Sequence, residues 1–172
     1  MSNSTELFTG TEDRIRVLTE ILTHGPAVLG VTLVAHVDRA TLAVLEVRSL
    51  PTLPAVIDQN DYFDDEAIHE LSQVLHAVAI DCVPARTWDG VRNGPITGEL
   101  ITVVCRHGHP VITPTESQYF FGWRYSNHPT AAFHGDVFVV TPTGWANLLG
   151  DWGGTSPALT VSVPSRRYWD DL

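Results

Sequence analysis

Val103-Val104-Cys105-Arg106-His107-Gly108-His109-Pro110, followed by Val111-Ile112-Thr113-Pro114-Thr115-Glu116-Ser117, is the segment around which the rest of the chain is read. The apolar run from Leu100 to Val104 predicts a buried strand, and Pro110 stops it. Side chains two residues apart on a strand share a face, about 6.5–7 Å from each other. A strand continued to the proline would therefore aim His107 and His109 at one ion, with Cys105 on the same face. Two imidazoles fall short of the three or four ligands that zinc takes. A pair of satisfied structural histidines is the competing reading.

Length and composition frame the choice. A chain of 172 residues with 44% hydrophobic and 17% charged residues is expected to form one globular domain with a proper core. No apolar run reaches the ~20 residues that a membrane span needs. Met1 to Glu12 is polar and lacks the basic-then-apolar order of a signal peptide, so a cytoplasmic location is the default expectation. A net charge of −10 opposes nonspecific nucleic-acid binding, which depends on neutralising phosphates. All the cationic side chains other than histidine are arginines, a pattern that genome composition explains. Cys82 and Cys105 are expected to be free thiols.

Taken in order, residues 1–10 read as a loose tail. Thr11 or Asp13 can cap a helix reaching about Thr23, with Ile15, Leu18 and Leu22 on one face. His24-Gly25-Pro26 ends it and leaves His24 at the favourable end of the helix dipole. Ala27 to His36 predicts a strand, Val37 to Ala40 a tight turn, and Thr41 to Val47 a returning strand. A proline-punctuated loop and a possible edge strand ending near Ile57 follow. The acidic segment Asp58 to Asp65 starts a helix that runs to about Ala79, its core side formed by Ile68, Leu71, Val74 or Leu75, and Val78. His69 and His76 lie two turns apart on that helix, too far for one ion. Residues 84–98 form a long loop containing Trp88 and Arg92, and loops of that length inside a domain tend to be functional.

Beyond the histidines, Thr113 to Ser117 predicts a helix start, with Pro114 in the first turn. Tyr119, Phe120, Phe121, Trp123 and Tyr125 make the next stretch strongly aromatic, as a core or an interface requires. A loop bearing His128 and His134 leads to a strand over Asp136 to Thr141, then a turn at Pro142 to Gly144. Trp145 to Trp152 fits a short strand or helix equally well. Thr160 to Val163 is expected as a last edge strand. The order of elements predicts an α+β fold with a mixed sheet and flanking helices.

His107-Gly108-His109-Pro110, with Ser117 beyond it, resembles the hallmark of the JAB/JAMM metalloprotease family, closest to its RadC-like branch. The preceding strand and the hairpin from Val28 to Leu50 fit the same resemblance. It is loose over residues 11–150 and specific over residues 107–117. In that family two histidines and an aspartate hold zinc, a glutamate serves as general base, and a serine supports the tetrahedral intermediate. The resemblance carries His107 and His109 over as metal ligands and Ser117 as the catalytic serine. It carries neither the aspartate, whose position is occupied by Phe120, nor the glutamate, since Gly25-Pro26-Ala27-Val28 precedes the first strand. Glu46 and Glu99 could stand in only by an unusual geometry. His128, His134, Asp136 and Cys105 are the candidates for a substitute ligand.

The expectation is therefore a single JAB/JAMM-like α+β domain over residues 11–163, with a tail over 164–172. It would act as a catalytically degenerate protein-binding or scaffold module. Such a module would present an apolar patch involving Trp123, Tyr125 or Trp145. The rival is a zinc-dependent hydrolase of peptide or isopeptide bonds using His107 and His109.

Overall fold

A computed structural model describes residues 6–53 and 65–161. In chain order these form α1 (Thr11–His24), β1 (Val31–Asp38), β2 (Val44–Pro51), α2 (Asp65–Cys82), β3 (Gly98–Cys105), α3 (Pro114–Ser126), β4 (Ala132–Thr141), β5 (Gly144–Asn147) and β6 (Gly153–Gly154). The strands make one mixed sheet in the order β2-β1-β3-β4-β5-β6. Only β3 and β4 run parallel, joined across one face by α3, and all other neighbours are antiparallel. The expected α+β class is observed.

Every residue of β3 is buried because both faces of the sheet are covered. On one face α1 lays Val17, Leu18 and Ile21 against Leu33, Ile101, Val103, Cys105 and Phe138. On the other, Leu71, Leu75 and Ala79 of α2 and Tyr119 and Trp123 of α3 pack on Val34, Leu100, Val104 and Val137. Helices α2 and α3 approach closely at Gly122, where a Cβ would stand 2.9 Å from the Leu71 side chain. The polar atoms of the two large rings are satisfied within the core. Trp123 Nε1 donates to Thr102 Oγ1 at 2.7 Å, and the Tyr119 hydroxyl lies 3.0 Å from Thr32 Oγ1. Cys82 and Cys105 are free and buried.

The structure shifts several boundaries. The first hairpin lies about four residues later than its apolar pattern implied. Asp38 organises its turn by accepting from the backbone N–H groups of Ala40 and Thr41. Gly10 precedes α1, whereas Asp13 accepts from the backbone and side chain of Thr9. The expected tail includes Leu7 and Phe8, and Phe8 is buried edge-on to Phe138. Thr160 and Val161 are not in a strand, and Gly153–Gly154 forms the last one among the described residues. Residues 54–64 and 162–172, which carry the expected edge strand near Ile57, the acidic helix start and the C-terminal tail, lie outside the described residues.

The crossover from β3 to α3 is fixed by one ion pair. Glu116, fully buried in the first turn of α3, accepts from Arg106 Nε at 2.8 Å. Its second oxygen reaches back to the Thr113 N–H at 2.6 Å and to the Thr113 hydroxyl at 2.7 Å. Pro114 begins the helix, as its missing N–H allows. Removing one partner of a buried pair strands the other charge, at a cost of about 3 kcal/mol. Urea unfolding of Glu116→Gln should show a loss of that size. A loss below about 1 kcal/mol, the size of an ordinary hydrogen bond, would mean that the pair does not hold the crossover.

Candidate functional site

β3 ends at Cys105, two residues before His107, so the spacing of a continued strand does not apply to the histidines. They stand instead on an exposed loop that turns at Gly108, whose φ of 94° lies in the region open to glycine. At the centre of this loop is the Arg106 guanidinium. It donates from Nη1 to the carbonyls of His107 and His109 at 3.0 and 3.4 Å, and from Nη2 to the carbonyl of Val111 at 2.7 Å. The backbone is thus folded around a fixed positive charge, which opposes a divalent cation at the same place. Glu116, the buried acid of the adjoining helix start, is already committed to that charge.

The expected substitutes do not gather around His107 and His109. Cys105 points into the α1-side core, where burial pushes its thiol up to about 12. Asp136 accepts from Val137 N, Leu149 N and Asn147 Nδ2, and so caps the start of a neighbouring loop. His128 and His134 belong to the opposite end of the parallel pair, where Gly98 faces Ala132 rather than Cys105 facing Val140. Seven strand steps separate those ends, ~23 Å at the usual rise. Ser117 sits half-buried in the first turn of α3, its N–H 3.4 Å from the Thr113 carbonyl. Phe120, at the family's aspartate position, packs edge-on against Phe121 and His134. Among the described residues no three His, Cys, Asp or Glu side chains could hold a metal ion. The residues present do not fit a zinc centre of the family's kind.

Polar chemistry collects elsewhere, at a β-bulge in β4. Gly135 and Asp136 together face Ile101, since Leu100 pairs with His134 and Thr102 with Val137. The bulge opens beside a chamber of about 380 Å³ whose walls include Phe8, Arg14, Glu99, Phe133 and Asp136. Gly135 makes the approach possible, because a Cβ there would lie 2.9 Å from Glu99 Oε2. Glu99 Oε1 pairs with Arg39 Nη1 at 3.1 Å. Burial raises the Glu99 carboxyl, Arg39 opposes the shift and Asp136 adds to it. Burial likewise raises Asp136, against the bonds from Asn147, Leu149 and Val137. Arg14, from the first turn of α1, lies over the rings of Phe8 and Trp152 at 5.3 and 4.4 Å. Its Nη1 donates to the Gly10 carbonyl, and its buried Nε has no hydrogen-bond partner. A buried arginine in a helix read as amphipathic left no sequence signal, and Gly135 fell in the segment read as the loop before the strand, so the bulge went unread.

The long loop does not cover His107 and His109. It enters β3 at the far end and is tied to the segment before β4, with Arg86 N donating to the Pro129 carbonyl and Ala131 N to the Pro84 carbonyl. Its tip closes through a bridge between Trp88 and Asn93, and Asp89 Oδ1 accepts from the N–H groups of Val91 and Arg92. The expected aromatic patch is corrected here. Trp123 and Trp145 are buried in the two cores, so of the three named residues only Tyr125 faces solvent. No helix among the described residues is long and apolar enough to cross a membrane.

No protein-family model matches the chain, and no curated protein or solved structure matches it either.

His128 gives a pH signature to this end of the molecule. Burial lowers its pKa to about 4, helped by His134 and His76, from the usual 6.5. Between those values the unfolded chain binds the extra proton, so this histidine's contribution to stability is full above 6.5 and is lost as pH falls toward 4. Glu99 and Asp136, with raised pKa values, act in the opposite sense. A difference measurement separates them. The stability of the wild type relative to His128→Asn, whose side chain can keep the bond to Thr130, should decline between pH 7 and pH 5 in urea titrations. A difference that stays constant would contradict the assignment.

Proposed function

We propose that this chain is a protein-binding module on a JAB/JAMM-like arrangement that lacks the hydrolytic apparatus. The succession of β3, the His-x-His-Pro loop, α3 and the parallel strand β4 supports the resemblance. The Arg106 guanidinium inside the loop and Phe120 in the aspartate position weigh against the zinc-dependent hydrolase. A protein partner suits a chain of net charge −10 better than a nucleic acid does. Two free thiols accord with a cytoplasmic setting.

The observation that carries the reading is the tip of the 84–98 loop. Trp88 is 65% exposed and Val91 is 87% exposed, on a turn whose backbone is hydrogen-bonded rather than open. A tryptophan held out on an ordered turn loses little conformational freedom on docking, and tryptophan is prominent among residues that dominate interfaces.

A photo-crosslinking side chain placed at Val91 in the source cells tests this. A discrete protein adduct should form there, disappear when Trp88→Ala is added, and be absent when the same side chain replaces exposed Glu70. Equal adducts from positions 91 and 70, or an adduct indifferent to Trp88, would overturn the docking role.

A further inference from the structure

A second concavity, of about 200 Å³, lies between the 84–98 loop, the end of α3 and the start of β4. Its walls include Arg86, Arg124, Asn127, His128, Phe133 and His134, with no aspartate or glutamate among the described residues. That is unusual in a chain where Asp and Glu number 20 against 10 arginines. Five described arginines, at 16, 39, 48, 92 and 106, have a carboxylate within ion-pair distance. Arg14, Arg86 and Arg124 have none among the described residues, and two of the three line this cleft. The cleft concentrates positive charge without internal compensation, as an anion site requires.

The positions of these side chains are set by the fold. Arg86 is anchored by its Nε to the Gly94 carbonyl at 2.9 Å, which leaves its terminal nitrogens for another partner. Arg124 is exposed on the last turn of α3. The chain then reverses at Asn127, a non-glycine residue in the left-handed region with φ 48° and ψ 42°. This reversal delivers His128, whose Nδ1 lies 2.8 Å from Thr130 Oγ1 and whose ring stands edge-on to Trp123. His134, two residues inside β4, supplies a second imidazole to the lining. Phe133 also borders the cleft, but its ring is turned to the α1 face, under the Arg39 guanidinium at 5.2 Å.

We propose that this cleft binds a phosphoryl group, held by Arg86 and Arg124. The two guanidinium groups alone supply more donors than the two oxygens of a carboxylate can use, and they suit the three terminal oxygens of a phosphoryl group. The volume of about 200 Å³ holds that group and little more. The site is separate from the Trp88 tip, and neither role requires the other.

Calorimetric titrations of the full chain with inorganic phosphate and with phenyl phosphate, at constant ionic strength set by chloride, test the assignment. Both should saturate at one site. Arg124→Gln, a change at an exposed position, should weaken both by about tenfold or more, the loss expected for one charge-assisted hydrogen bond. Amide resonances of residues 127–134 should shift on phosphate addition in the wild type. Phenyl phosphate binding at least as tightly as inorganic phosphate marks a monoester as the form the cleft takes, and weaker binding marks the free ion. Absence of saturation, unchanged affinity in Arg124→Gln, or shifts confined to other residues would overturn the proposal.

Discussion

The ion pair between Arg106 and Glu116 is the constraint on which the middle of the molecule depends. A carboxylate with no exposed surface is tolerated because Arg106, the Thr113 N–H and the Thr113 hydroxyl all donate to it. The same guanidinium gathers three carbonyls of the His-x-His-Pro loop. One side chain thereby ends β3, shapes the loop, starts α3 and sets the course by which the chain returns as β4. In a metalloprotease of the resembling family the loop exists to present ligands. Here its geometry is accounted for by a cation that the protein itself supplies.

That arrangement moves attention to the other end of the parallel pair. The two-sided core buries β3 along its length, and a second set of polar side chains gathers where β3 and β4 begin. Both concavities described above lie there, one on each side of the bulge at Gly135 and Asp136. The α1 side combines carboxyls raised by burial with a stacked arginine, whereas the α3 side is cationic. Bulges commonly re-aim side chains beside functional sites, and Gly135 makes room for Glu99 at this one.

Much of the fold was legible from periodicity and punctuation. The run Leu100 to Val104 is the central strand because an uninterrupted apolar stretch must be covered on both faces, and it is. Thr113-Pro114 marked a helix start because proline fits where no N–H is needed. Less legible were the features set by distant partners. Phe8 joined the core through Phe138, and Trp145 became buried by pairing in β5, with its Nε1 donating to the Ser156 carbonyl. The same-face geometry read from His-x-His holds only for a strand continued past Cys105, where β3 ends. Arg86 and Arg124 lie 38 positions apart in the chain, and nothing local ties them to one cleft.

Zinc content, measured by elemental analysis on protein purified without a histidine tag, is the most direct test of a loop organised around Arg106. The wild type should carry zinc far below one equivalent, and the His107→Ala/His109→Ala double variant should carry the same amount. Near-stoichiometric zinc in the wild type, lost in the variant, would contradict the account and restore the hydrolase.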